Sequence, residues 1–175
     1  MKTITFFAMA LLAQAESLAA QQPSAATDKS PTKRVAFAQS CFWTGEMKLG
    51  QIEGVVRTEA GFFKGREVTL VEYAPEKIAI DDLARQAKRA GVADSIHPDA
   101  GAGMPAGVAA GSPLDGSYRA APASDQKKQI EGTPFERLKL DAAQATKVNA
   151  FVRQNPAKAL EWLTPAQREQ LKGAK

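Results

Sequence analysis

The chain contains one cysteine, Cys41, and it is followed at once by Phe42 and Trp43 in VAFAQSCFWTGEM, residues 35–47. A thiol becomes a strong nucleophile when it ionises, and a single cysteine has no internal disulfide partner. Two readings stand side by side: an inert cysteine packing as a small hydrophobe, or a reactive thiol. The neighbouring pattern bears on the choice. KRVAFAQ (33–39) alternates, with Val35, Phe37 and Gln39 on one face, and predicts a short strand that ends just before Cys41. From Phe42 to Ile52 the spacing predicts a helix closed by Gly54. Cys41 then sits at a strand end and a helix start, where unpaired backbone N–H groups and the helix dipole favour the thiolate.

A second chemical group is Glu67. The segments VVRTEAGFF (55–63) and REVTLVEYAP (66–75) predict two further strands joined through Lys64 and Gly65 in a tight hairpin. With a period of two, Glu67 shares a face with Thr69, Val71 and Tyr73. A carboxyl on so apolar a face is expected to be partly desolvated, which helps it to hold a proton; the alternative is a solvated glutamate at a strand end.

The surrounding elements follow from pattern and punctuation. IAIDDLARQAKRAG (78–91) is amphipathic, with Ile80, Leu83 and Ala87 inward and Gly91 as its stop. PDAGAGMPAGVAAGSPLDGS (98–117) is too rich in Gly, Ala and Pro for a regular element and predicts a long loop. Beyond residue 124, DAAQATKVNAFVRQN, PAKALEWL and TPAQREQL read as helices, the last with Thr164 as N-cap and Pro165 at its first position. This tail predicts a helical extension, residues 124–175, that wraps the domain or meets a partner.

At the other end, Lys2 precedes an apolar run from Ile4 to Ala13, and small residues follow at Ala15, Ala19 and Ala20. That is the layout of a secretory signal over residues 1–20, with cleavage expected after Ala20 or, second, Ala15. It is too short and wrongly flanked for a membrane anchor. A polar leader, residues 21–32, follows it. The expected location is therefore the periplasm or the medium, where an odd cysteine calls for an intermolecular bridge or a reactive thiol.

Composition adds bounds. The chain has 175 residues and is 44% hydrophobic, enough for one globular domain with a real core. Its net charge of +4 comes with no Lys/Arg cluster interleaved with aromatics, which argues against a nucleic-acid partner. His97 is the only histidine and lies far in sequence from Cys41, so no metal-ligand pattern is present. A cysteine–histidine protease pair requires folding to bring these two together.

FAQSCFWTGEM resembles the active-site signature of the peptide methionine sulfoxide reductase A family: cysteine, Phe, Trp, then Glu three residues on, here Cys41, Phe42, Trp43 and Glu46. GVVRTEAGF resembles that family's Gly-Val…Thr…Gly-Tyr segment, and EVTLVEYAPEKIAIDDL its Glu-led strand, Tyr-Asp-Pro turn and following helix. The similarity runs from about Arg34 to Leu83, then thinly through IHPD (96–99) and DGSYR (115–119). The tail lies outside it.

The resemblance implies an α+β fold, a two-layer sandwich around a mixed β-sheet, over residues 33–123. It implies Cys41 as the nucleophile toward a methionine sulfoxide sulfur and Glu67, eight residues before Pro75, as the acid for the oxygen. Phe42 and Trp43 would cup the substrate methyl. Phe62 stands where the family has a tyrosine that bonds the oxygen, and phenylalanine cannot donate. Tyr118 matches the family's second site tyrosine and Asp115 its nearby aspartate. The Gly-His-Ala before the family glutamate is replaced by Gly65 and Arg66, and a family loop ahead of it is missing, which implies a wider entrance. No bound cofactor is implied. The substrate would be free or protein-bound methionine sulfoxide, and with no second cysteine an external thiol would regenerate Cys41. Two rival readings remain: a lapsed domain serving as a binding or adaptor module, and a thiol-based oxidant sensor.

Overall fold

The computed structural model describes residues 31–173, so the signal segment and most of the leader lie outside the described residues. Strand β1 (Lys33–Ala38) leads into helix α1 (Phe42–Gly50), and β2 (Val55–Phe63) and β3 (Arg66–Tyr73) follow. Then come helix α2 (Ile80–Arg89) and two short strands, β4 (Ser95–Pro98) and β5 (Arg119–Ala120). The sheet order is β4-β1-β3-β2-β5.

All strand pairs are antiparallel, which corrects the expectation of a mixed sheet. The parallel pairing found among the described residues is one isolated bridge, Ile96 with Ala110. The reason is connectivity: β2 and β3 form a hairpin, and a parallel pair would need a crossover between them. The hairpin turns at Lys64 (φ 49°) and Gly65 (φ 77°), and two consecutive positive φ values match the right-handed twist of the flanking strands.

Two layers form because the central strands β1 and β3 bury side chains on both faces. Val35, Phe37, Val71 and Tyr73 pack under Leu49 of α1 and Leu83, Ala84 and Ala87 of α2. On the opposite face Ala36, Ala38, Phe63, Val68 and Leu70 are covered by Leu114 of the Gly/Pro-rich loop and by Tyr118 just after it. The register of β2 shifts between Val55 and Arg57. This irregularity re-phases the strand, so that Val55, opposite Tyr73, and Phe62, opposite Glu67, both face the helices although they are an odd number of residues apart.

The tail folds back onto the sheet domain. Helix α3 (Ala142–Phe151) starts with a capping box between Asp141 and Gln144 and lies against α1. A Cβ on Gly50 would come 3.0 Å from Ala150 Cβ, so the missing side chain lets the two helices approach closely. Lys147 is buried and donates to the carbonyls of Gly50 (2.8 Å) and Ile52 (3.2 Å) at the end of α1. Burial, followed by the nearby Lys158, lowers its pKa to about 8. Helices α4 (Pro156–Leu160) and α5 (Pro165–Lys172) complete a second small core of Ile130, Phe135, Leu138, Val148, Val152, Ala159 and Leu163. Thr164 caps α5, with Pro165 at its first position as the sequence predicts, and the Gln167 side chain completes a capping box.

Candidate active site

Cys41 is the N-cap of α1, with extended backbone angles (φ −150°, ψ 111°) and no side-chain cap hydrogen bond of its own. The helix start is capped from the sheet instead. Glu67, the second residue of β3, accepts the Phe42 N–H on Oε2 at 2.9 Å. An acceptor at a helix N-terminus satisfies one of the unpaired amides there, so the pairing serves the fold as well as the site. It also places the Glu67 carboxyl against the amide that directly follows the thiol. Oε1 of Glu67 has no hydrogen-bond partner among the described residues and is available to a ligand.

Gly45 makes this approach possible. A Cβ there would lie 2.2 Å from Thr69 Oγ1 and 2.6 Å from the Gln39 side chain, so α1 can rest on β3 only with glycine at this position. Beneath it the Thr69 hydroxyl and Gln39 amide meet at 2.8 Å, with the Gln39 nitrogen turned to the Phe37 carbonyl.

The aromatic residues surround the same corner. Phe42 is buried and makes edge-to-face contacts with Trp43 (5.9 Å between centroids) and Phe62 (5.5 Å). Trp43 and Phe62 are each 36% exposed, so the three rings form a partly open apolar cup rather than a closed core. Cys41 itself is half-buried. A half-buried thiol, a carboxyl and an apolar cup on one side of the sheet can attack a soft electrophilic centre, protonate an oxygen leaving it, and seat an apolar substituent.

The structure separates the remaining candidates from this cluster. Tyr118 packs on the opposite face of the sheet, over Gly61, where a Cβ would sit 2.6 Å from its ring and hydroxyl. Its hydroxyl donates to Glu59 at 2.6 Å, and burial, then that bond, raises its pKa well above the usual phenol value. Asp115 is in the covering loop, where it accepts from the Ser117 hydroxyl and N–H and pairs with Lys64. The Ser117 bonds hold its carboxyl below the usual range. Neither residue is brought to Cys41: the pleat that sends Phe62 toward the helices sends Phe63, and with it Tyr118, to the far side. His97, opposite Ala36, also faces away, held between Ser95 and Ser112, so no cysteine–histidine pair forms. Among the described residues no group of three or more His, Cys, Asp or Glu could hold a metal.

The signature glutamate Glu46 has a structural role, and the four residues 125–128, for which the sequence offers no signal, join it at the site. Glu46, one helical turn after Phe42, is completely buried and accepts from the Thr58 hydroxyl, the Lys127 N–H (2.7 Å) and the Lys127 ammonium. Lys127 adopts φ 52° to make these bonds and also donates to Thr58 O at 2.6 Å. The adjacent Gln126 side chain pairs with both the N–H and the carbonyl of Ala60, as a neighbouring strand would. The Asp125 backbone carbonyl accepts the Trp43 indole N–H at 3.1 Å, and Lys128 sits 5.5 Å over that ring. The start of the tail is thus a wall of the site. A signal for Glu46 existed in its i+4 relation to Phe42, which puts both on the buried helix face.

Comparison with known proteins supplies a limited relationship. No protein-family model matches the chain. The peptide methionine sulfoxide reductase MsrA of Pseudomonas syringae pv. tomato is 39% identical over 66 residues, covering 28% of this chain and 31% of that protein. The matched part therefore spans about a third of that relative's length.

Proposed function

We propose that this protein reduces methionine sulfoxide to methionine, with Cys41 as nucleophile and Glu67 as proton donor. The observation that carries the reading is the 2.9 Å bond from Phe42 N–H to Glu67, which ties a carboxyl beside the cup to the residue next to the one thiol. The partial similarity to MsrA supports the same chemistry.

In this scheme the Cys41 thiolate attacks the sulfoxide sulfur while Glu67 gives its proton to the oxygen. The S–O bond breaks, methionine leaves with its sulfur reduced by two electrons, and the oxygen ends on Cys41 as a sulfenic acid. Two equivalents of an external thiol then return Cys41 to the thiol, with release of water and a disulfide. The cup of Phe42, Trp43 and Phe62 seats the S-methyl, and the exposed side of Phe62 leaves the entrance open to free or protein-bound substrate. Phe62 cannot bond the oxygen and Tyr118 faces away, so the proton from Glu67 carries a larger share of the oxygen's stabilisation than in a site with two phenols. We read residues 1–20 as an export signal, and on that reading the thiol donor must be supplied outside the cytoplasm.

The test uses the mature protein with a methyl sulfoxide and no reductant. The expected result is one methionine released per Cys41 converted to a trappable sulfenic acid, turnover on adding dithiothreitol, and loss of both in Cys41→Ser. Oxidation of Cys41 by peroxide but not by sulfoxide would favour the oxidant sensor. A folded protein inert to both would favour the adaptor module.

A further inference from the structure

Strand β5 brings a cation to the site that the reading above does not use. Arg119 lies directly opposite Phe62, and Phe62 lies directly opposite Glu67, so the three form one row across β5, β2 and β3. Residues directly opposite in antiparallel strands project to the same face. The side is confirmed independently by Ala121, two residues on, which packs with Phe42 and Ala60. Arg119 therefore rises on the Cys41 side, on the far flank of the aromatic cup from Glu67.

Arg119 is exposed and has no hydrogen bond or ion pair among the described residues. The other basic groups nearby are matched: Lys127 with Glu46, Lys128 with Glu131, and Arg66 with Asp94. A guanidinium left without an acid beside a reactive cup is suited to a planar anion carried by the ligand.

We propose that Arg119 is a specificity residue that selects oxidised methionines carrying a carboxylate close to the sulfoxide. The inference rests on the reading of Cys41 and Glu67 as the reacting pair. Adjacent strands are about 4.8 Å apart, so the Glu67 and Arg119 backbones are separated by roughly 10 Å across Phe62. A methionine sulfoxide with its oxygen at Glu67 and its methyl over Phe62 extends its α-carbon and carboxylate along that row toward Arg119. The carboxylate has two sources, a free main-chain carboxyl or the side chain of an adjacent Asp or Glu.

The test compares N-acetylmethionine sulfoxide, its neutral N-methylamide, and the amide of N-acetyl-Met(O)-Asp, in the wild type, Arg119→Gln and Arg119→Lys. The expected result is a kcat/KM ratio of anionic to neutral substrate that falls about threefold in Arg119→Gln, is largely kept in Arg119→Lys, and shrinks in high salt. A gain confined to N-acetylmethionine sulfoxide identifies a main-chain carboxyl as the ligand, and a gain with the Asp peptide identifies an acidic neighbour. Equal ratios in wild type and Arg119→Gln would overturn the proposal. Absence of turnover on every substrate would instead refute the reductase reading, and the alkylation of Cys41 then decides the question separately. Anionic iodoacetate, relative to neutral iodoacetamide, should react about threefold less well in Arg119→Gln than in the wild type. An unchanged reagent ratio would overturn the role of Arg119.

Discussion

Glu67 has two duties in this structure, and replacing it by Gln and by Ala separates them. The Glu67 carboxyl both caps α1 through the Phe42 N–H at 2.9 Å and, in the proposed reaction, supplies the proton. Glu67→Gln keeps an oxygen of the same reach, so the hydrogen bond to the Phe42 N–H survives and stability should change by less than about 1 kcal/mol. Glu67→Ala leaves the N1 amide without its acceptor and should cost about 1 to 2 kcal/mol, the usual size of a lost N-cap. Proton donation is removed in both, which predicts a fall in turnover of about 10²- to 10⁴-fold. Urea denaturation gives the stability difference, and single-turnover methionine release gives the chemistry free of the reductant. The expected pattern is equal loss of rate with unequal loss of stability. A Glu67→Gln protein within threefold of the wild-type rate would refute the assignment of Glu67 as the acid, whatever its stability.

Three further outcomes follow from the packing around the site. Gly45→Ala forces a methyl to within 2.2 Å of Thr69 Oγ1 and should lift α1, costing about 1 to 3 kcal/mol in chemical denaturation and slowing Cys41 alkylation or turnover. Lys127→Met leaves the fully buried Glu46 without its cation and should cost about 3 to 5 kcal/mol; Glu46→Gln in the same chain should restore a large part, and additivity of the two changes would be contrary evidence. Lys147 has its folded pKa lowered to about 8 from an ordinary 10.5, so between these values the unfolded chain binds more protons than the folded one. Stability from this site should therefore rise with pH from about 8 to about 10.5, by a few kcal/mol at most, with no such gain below pH 8. Measured as the stability difference between wild type and Lys147→Met across that range, a flat difference would contradict the burial argument.

The local elements were largely legible because their signals are local. Alternation marks β1 and β3, two turn residues mark the hairpin, and Thr164 with Pro165 marks α5. Glu67 was placed on its correct face by period two alone, since β3 runs without a break opposite β1. The same counting fails on β2. From Val55 it would send Phe62 away from the helices, and only the shift between Val55 and Arg57, a property of the paired strands, turns it inward. The resemblance of DGSYR points to Tyr118 and Asp115, yet both precede β5, and the register of β5 on β2 puts Tyr118 on the Phe63 side. That register gives the site Arg119 instead.

The sequence by itself determined the chemistry on offer: one thiol at a strand-to-helix junction, an aromatic pair beside it, and a glutamate on an apolar strand face. These depend on residue type and on periods of two and 3.6, which the chain carries in every short window. Only the tertiary structure decided that Glu67 caps the helix that Cys41 begins, that Glu46 is held by Lys127 from 81 residues away, and that the tail walls the site. Such contacts are chosen by sheet order, by a bulge and by the close approach that Gly45 and Gly50 permit. None of these has a signature shorter than the fold itself.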